Sequence, residues 1–141
     1  MPVLPFYQFE LKDKLNSKPQ CFDSFNFLFL LQGTGTIRCR NQLIHLKPHD
    51  FTFFNMYEIH QFLTFSPDAR VLSVLIHKSY IQSAVPELTD MTLNTHAVTP
   101  ESEPERYEFF CQEFGKFIYY HTVHSPGAQL HALSHLGNLL S

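Results

Sequence analysis

Nine histidines, thirteen acidic residues and three cysteines are the groups of this 141-residue chain with the most chemical reach. Few of them fall at spacings that chemistry uses. His131 and His135 stand four apart in a helical pattern, and His121 and His124 stand close across a turn, so either pair could hold two corners of a metal site. Neither pair has a third ligand at a usual spacing, and no metal is expected there. Cys21, Cys39 and Cys111 form an odd set without metal-type spacing, which reads as reduced thiols. Cys21 and Cys111 have no neighbouring cation that would lower a thiol pKa, so they are expected to be inert. Arg38 and Arg40 point the same way on one strand and read either as two solvated arginines or as a clamp for a buried carboxylate. No Ser/His/Asp or Cys/His arrangement can be argued from residue order, and Gly33-Thr34-Gly35 lacks the following helix of a phosphate-cradling loop. No catalytic residue is expected.

The elements that would position these groups change character along the chain. From Phe6 to Ile76 the pattern is short strands separated by turns, as in a sandwich or barrel. Strands are expected at Phe6 to Leu11, Phe25 to Gln32, Thr36 to Arg40, Leu43 to Lys47, Phe51 to Phe54, Gln61 to Phe65 and Val71 to His77. With tight turns and no helices between them, they should pair antiparallel. Lys78 to Val85 reads as a short helix ended by Pro86, and Met91 to Val98 as an edge strand. Ser102-x-x-Glu105 is a capping box, and Pro104 sits in the first turn of the helix it would open. Tyr107, Phe110, Cys111, Phe114, Phe117, Ile118 and His121 follow on one stripe. That stripe reads as core packing against the sheet, with a dimer seam as the alternative. A second helix opens at Ser125-Pro126 and carries Leu130, Leu133, Gly137 and Leu140 on one face. It runs to the last residues, as expected if a further segment or a partner surface follows.

Composition narrows the class. Hydrophobic residues make up 44% and charged residues 16%, which describes a globular chain rather than a disordered one. Fifteen Phe and six Tyr, with no Trp, demand a core, a pocket or an interface to hold them. Ten Lys and Arg are scattered and the formal charge is -3, so nucleic-acid contact by this chain alone is not expected. No apolar run reaches the length of a membrane span, and Met1-Pro2-Val3-Leu4-Pro5 has no signal-peptide pattern. A cytoplasmic location is expected.

The order Phe27-Leu-Phe-Leu-Leu-Gln-Gly-Thr-Gly35, Leu46-Lys-Pro-His-Asp50, Phe53-Phe-Asn-Met-Tyr-Glu-Ile-His-Gln-Phe62 and Ser66-Pro-Asp-Ala-Arg70 resembles the sensor domain of AraC-type bacterial transcription regulators. That resemblance implies a mainly β cupin-type double-stranded β-helix, or jelly roll, followed by two C-terminal helices. It implies a barrel with an N-terminal arm over 1–98, and a helical dimerisation segment packed on it over 99–141. His49 stands where the family usually has Gly, and Met56-Tyr57 where it has Pro-Gly. Nothing here resembles the family's helix-turn-helix half, so DNA contact is expected only through a C-terminal domain not present in this chain.

The resemblance also implies a metal-free barrel without a cofactor. By cupin spacing, Asn26 takes the place of the carboxylate ligand, Gln20 and Phe22 fall near the two histidine places, and only His60 survives. One imidazole cannot hold a catalytic metal. His60 therefore reads as either a hydrogen-bonded core residue or an effector contact. If Asn26 points inward, alternation sends Leu28 and Leu30 the same way. His60, Phe62 and Thr64 would share a face, as would Leu72, Val74 and Ile76. The expected ligand-binding set is Asn26, Leu28, His60, Phe62, Val74 and Ile76, suited to a small apolar or aromatic effector; a barrel filled by its own side chains is the alternative. Homodimerisation is expected through Leu130, Leu133, Gly137 and Leu140. A stand-alone metal-independent cupin isomerase or lyase, and a ligand-free structural dimeriser, are the competing functions.

Overall fold

The computed structural model of the chain describes residues 7–13, 17–21, 23–84, 97–123 and 125–140. They fall into two compact units, Met1–Thr99 and Pro100–Ser141. The first holds β1 (Tyr7–Lys12), β2 (Ser24–Gln32), β3 (Gly35–Cys39), β4 (Gln42–Leu46), β5 (Phe51–Phe54), β6 (His60–Phe65), β7 (Arg70–His77), α1 (Lys78–Ala84) and β8 (Ala97–Val98). A five-stranded sheet runs β1-β7-β2-β5-β8 and a three-stranded sheet runs β4-β3-β6. Every pairing is antiparallel. Of the expected strand from Met91, only Ala97–Val98 is among the described residues, and the Met1–Pro5 arm lies outside them.

Leu28, Leu30, Ile37, Cys39, Ile44, Leu46, Phe54, Phe62 and Val71, drawn from both sheets, form one buried cluster. The five-stranded sheet buries its other face as well. Phe25, Phe27, Phe51, Phe53, Val74 and Ile76 are each at most 1% exposed, and the Phe27 and Phe53 rings stack 5.4 Å apart. Each fully buried ring of this kind stabilises the fold by about 1.5–3 kcal/mol before entropy is counted. Burial on both faces explains why β2 reads as a continuous apolar run rather than an alternating one.

Two register shifts set the parity of the strands. Between β3 and β6, Ile37 opposes Phe62 while Thr36 opposes Thr64, leaving Leu63 as the extra residue. Phe65 therefore packs against the inner cluster and Thr64 is exposed, contrary to simple alternation from Phe62. Between β2 and β7, Leu30 opposes Val71 and Gln32 opposes Arg70, which leaves Leu31 out of the ladder.

The turn after β2 needs its glycine. Gly33 has φ +86°, and a Cβ there would sit 2.7 Å from the Ala69 Cα. The close approach lets Thr34 and Ser66 exchange bonds: Ser66 N donates to the Thr34 carbonyl at 2.9 Å, and Thr34 N donates to Ser66 Oγ at 2.9 Å.

Three other turns place a non-glycine residue in the left-handed region: Arg40 (φ 57°), His49 (φ 75°) and Tyr57 (φ 63°). His49 and Tyr57 are the two turns that depart from the family pattern, and each is the third residue of a four-residue turn. The same device secures both. The Asp50 carboxylate accepts from Lys47 N at 2.9 Å, and the Glu58 carboxylate accepts from Asn55 N at 3.1 Å and Asn55 Nδ2 at 3.3 Å. Both carboxylates are buried. The other Glu58 oxygen pairs with Arg40 Nε at 2.8 Å, so one buried carboxylate holds two left-handed turns. The carboxylate clamp considered for the strand arginines is real for Arg40. Arg38 is exposed.

The second unit is a helical pair, α2 (Pro104–Thr122) and α3 (Ala128–Leu140). The capping box does not form: Glu103 occupies the N-cap without a side-chain bond, and Pro104 opens the helix. The proline ring fits the first turn, where its missing N–H costs nothing. The aromatic stripe holds at Phe110, Phe114 and Phe117, which are buried, while Cys111 is exposed and Glu113 is buried instead. Glu113 joins the two helices through His135 Nδ1 at 2.5 Å and Asn138 Nδ2 at 3.3 Å. Burial pushes its pKa up, but the bonds from His135 and Asn138 and the charges of His135 and Lys116 outweigh this and hold the carboxyl below its usual range. His131 stacks on Tyr120 at 4.7 Å rather than pairing with His135.

Glu58→Ala should lower the unfolding free energy by about 3 kcal/mol, because buried amides lose a charged acceptor. In a Tyr57→Gly background the same substitution should cost about 1 kcal/mol less, since glycine removes the strain the carboxylate holds down. Denaturant titration of the four proteins measures both. Equal costs in the two backgrounds would show that Glu58 does not hold the turn.

Candidate functional site

Side chains directly opposite one another in a sheet share a face, so the ladder gives the inner surface row by row. Gln8, Leu75, Asn26 and Phe54 stand in one row; Glu10, Ser73, Leu28 and Thr52 in the next; Lys12, Val71 and Leu30 in a third. Asn26 does face inward with Leu28. Ser73 Oγ donates to Asn26 Oδ1 at 3.3 Å, a buried polar pair in a mostly apolar surface. Phe62 belongs to the same inner cluster as Leu28.

Val74 and Ile76 do not. They oppose Phe27 and Phe25 and so lie on the other face of the sheet, away from Asn26 and Leu28. The inward residues of β7 are Val71, Ser73 and Leu75. Parity along a run in which almost every residue is apolar cannot be read from hydrophobicity. The polar contribution of Thr52, Ser73 and edge strand β1 was missed for that reason. The alternation of Gln8, Glu10 and Lys12 with Tyr7, Phe9 and Leu11 was the available signal.

His60 is 1% exposed. Its ring lies parallel to Phe54 with centroids 3.9 Å apart, and its Nδ1 donates to the Glu58 carbonyl at 3.2 Å. Burial and the nearby charge of Lys12 lower its pKa, against the opposing pull of the Glu58 carbonyl and charge. The result is a neutral imidazole at pH 7. His60 is thus both a hydrogen-bonded core residue and a wall of the inner surface. Cys39, also buried, has its thiol pushed up to about 11, first by burial and then by Glu58. It stays protonated and is not a nucleophile.

Beside this inner surface a cleft of about 420 Å³ opens at the rim, lined by Pro19, Arg38, Arg40, the Asn55–Ile59 turn, His60 and Gln61. Segment 17–21 contributes Pro19 to the lining and is tied to β6. Gln20 and His60 exchange backbone bonds of 2.8 and 2.9 Å, and Gln61 Nε2 donates to the Ser17 carbonyl at 2.9 Å.

The four residues expected at a dimer seam separate in the structure. Leu130 is 73% exposed, whereas Leu133 and Leu140 are buried in the single chain. The buried positions of α3 also include Ala128, Ala132, Leu136 and Leu139, so the leucines expected on a free face largely serve the chain's own packing. Among the described residues, no three His, Cys, Asp or Glu side chains gather at one place, and no helix is long and apolar enough to cross a membrane.

The chain matches the AraC-like ligand binding domain family over residues 8–132. Its fold is similar to that of the AraC-like transcriptional activator CuxR, with a TM-score of 0.59 at 8% identity over 84% of this chain and 42% of that one. It is also similar to apo ToxT from Vibrio cholerae strain SCE256, with a TM-score of 0.54 at 7% identity over 95% of this chain and 54% of that one. The chain thus spans about half the length of these two proteins. No curated protein sequence matches it. The two antiparallel sheets and the helical pair form a cupin-type jelly roll with C-terminal helices, the architecture expected from the sequence. Because the family match runs through nearly all of the strands and into α3, the chain belongs to the AraC-like ligand binding domain family.

Proposed function

We propose that this chain is the effector-sensing half of an AraC-type bacterial regulator, working in the cytoplasm, and is not an enzyme. The observation that carries the reading is the buried Asn26–Ser73 pair on the inner face, set among Leu28, Phe54 and Phe62. A mostly apolar surface carrying a few polar groups, of which Asn26 and Ser73 are the central buried pair, suits a small, largely apolar or aromatic effector with a polar end. No metal or cofactor enters this reading: His60, whose Nδ1 is committed to the Glu58 carbonyl, and His77, whose Nδ1 lies 3.4 Å from Ser24 Oγ on the face shared with Asn26, gather no third ligand among the described residues. The barrel over 1–98 would sense the ligand. The helical segment over 99–141 would pass the change to a DNA-binding half outside this chain.

A small-molecule library of monosubstituted aromatic and aliphatic compounds, read by thermal shift, tests the sensing role. Binders should raise the melting temperature in proportion to the logarithm of their concentration. Ser73→Ala and Phe62→Leu should each weaken them by roughly tenfold, about 1.4 kcal/mol. Binding that ignores both substitutions would move the effector off the inner face.

Homodimerisation is part of the same proposal, with Leu130 as its exposed apolar anchor on α3. Sedimentation of Leu130→Glu should show monomers with an unchanged far-ultraviolet spectrum. Leu133→Glu should instead unfold the helical unit, because that side chain is buried. A monomeric parent chain at high concentration would contradict the dimer.

A further inference from the structure

The rim cleft has a composition that the inner surface lacks. Tyr57 and Ile59 are 59% and 62% exposed there, and with Met56 and Pro19 they make an apolar wall. Arg38 also lines the cleft, paired with Gln61 across the three-stranded sheet on its outer face. The charges around the cleft do not cancel. Glu58 is spent inward on Asn55 and Arg40, whereas Arg38 has no carboxylate partner among the described residues. A further cation, Lys78, bonds the Tyr57 hydroxyl at 3.2 Å and sits 5.6 Å from its ring centroid. Arg40 thus answers the buried Glu58 carboxylate, while Arg38 at the cleft and Lys78 on Tyr57 add positive charge beyond it.

We infer that the rim cleft is a second ligand site, separate from the inner face, and that it takes a small carboxylate with a flat apolar body. The guanidinium of Arg38 offers two parallel N–H groups that match a carboxylate edge. Tyr57 and Ile59 cover the body, and a volume of about 420 Å³ is within the usual range for small-molecule sites. A bare phosphate is a poor match, because the apolar wall would gain nothing from it. Two of the three left-handed non-glycine residues, Arg40 and Tyr57, border this cleft. A ligand seated on Tyr57 therefore bears on a strained turn and, through Lys78, on the start of α1. The inference does not depend on the inner face holding an effector.

Nuclear magnetic resonance titration of the labelled chain with 2-naphthoate, 2-naphthamide and inorganic phosphate tests it. The carboxylate should shift the amides of residues 38–40 and 56–61. The uncharged amide should bind roughly tenfold more weakly, the loss of one charge-assisted bond, and phosphate should bind more weakly still. Arg38→Gln should bring 2-naphthoate to the level of the amide, while Ser73→Ala should leave it unchanged. Equal binding of carboxylate and amide, phosphate binding as tight as 2-naphthoate, indifference to Arg38→Gln, shifts centred on Leu28 and Ser73, or no binding at millimolar concentration would each overturn the inference. A loss of inner-face binding with these results intact would overturn the sensing proposal alone.

Discussion

The register of β2 between β5 and β7 is the constraint on which the rest depends. Leu28 stands opposite Thr52 on one side and Ser73 on the other. A slip by one residue would send Asn26, Leu28 and Leu30 to the far face and bring Phe25, Phe27 and Phe29 inward. Hydrophobicity does little to forbid that slip, since both faces are apolar. The penalty comes from volume: three phenylalanines would enter a space shaped for one amide and two leucines. The ends reinforce it, because the Gly33 turn is bonded to the turn at Ser66 and tolerates no side chain in between.

The rim is held by a different kind of force. Two four-residue turns place a bulky residue where glycine is preferred, and each is closed by its own buried carboxylate, Asp50 or Glu58. Left-handed conformations of non-glycine residues cost roughly 1–2 kcal/mol each. Charged hydrogen bonds of buried amides are of the same size or larger, so the turns stay closed. What the larger side chains contribute in return is visible. His49 stacks on Phe29 at 5.7 Å, and Tyr57 carries Lys78. A glycine at either place would relieve strain and lose that contact.

Much of the architecture was legible from the residues, and the failures share a cause. Turn chemistry at Gly33-Thr34-Gly35, Pro48-His49-Asp50 and Ser66-Pro67-Asp68 marks strand ends to within a residue or two, because few residue types permit those backbones. Parity within strands is another matter. In β2 and β7, inner and outer residues are both buried, so Val74 and Ile76 were grouped with Asn26, when Ser73 and Leu75 are the inward pair. In β6 the extra residue Leu63 reverses the parity of Thr64 and Phe65, and nothing in Phe62-Leu-Thr-Phe65 announces a bulge. The same ambiguity recurs in α3, where periodicity finds the leucines but not which of them, Leu130 or Leu133, faces outward. The capping box failed for a local reason: Pro104 opens the helix two residues after Ser102, leaving Glu103 rather than Ser102 at the N-cap.

Which face Val74 occupies decides the composition of the inner surface, and side-chain proton contacts read it directly. In a labelled sample, the Val74 methyls should show nuclear Overhauser effects to the Phe27 ring, its partner across β2. The Leu28 methyls should show them to residues of the inner cluster such as Ile37 and Phe62. Val74 methyl contacts to Phe62 or Ile37, with none to Phe27, would contradict the register and, with it, the assignment of Asn26 and Ser73 as the polar pair of the effector site.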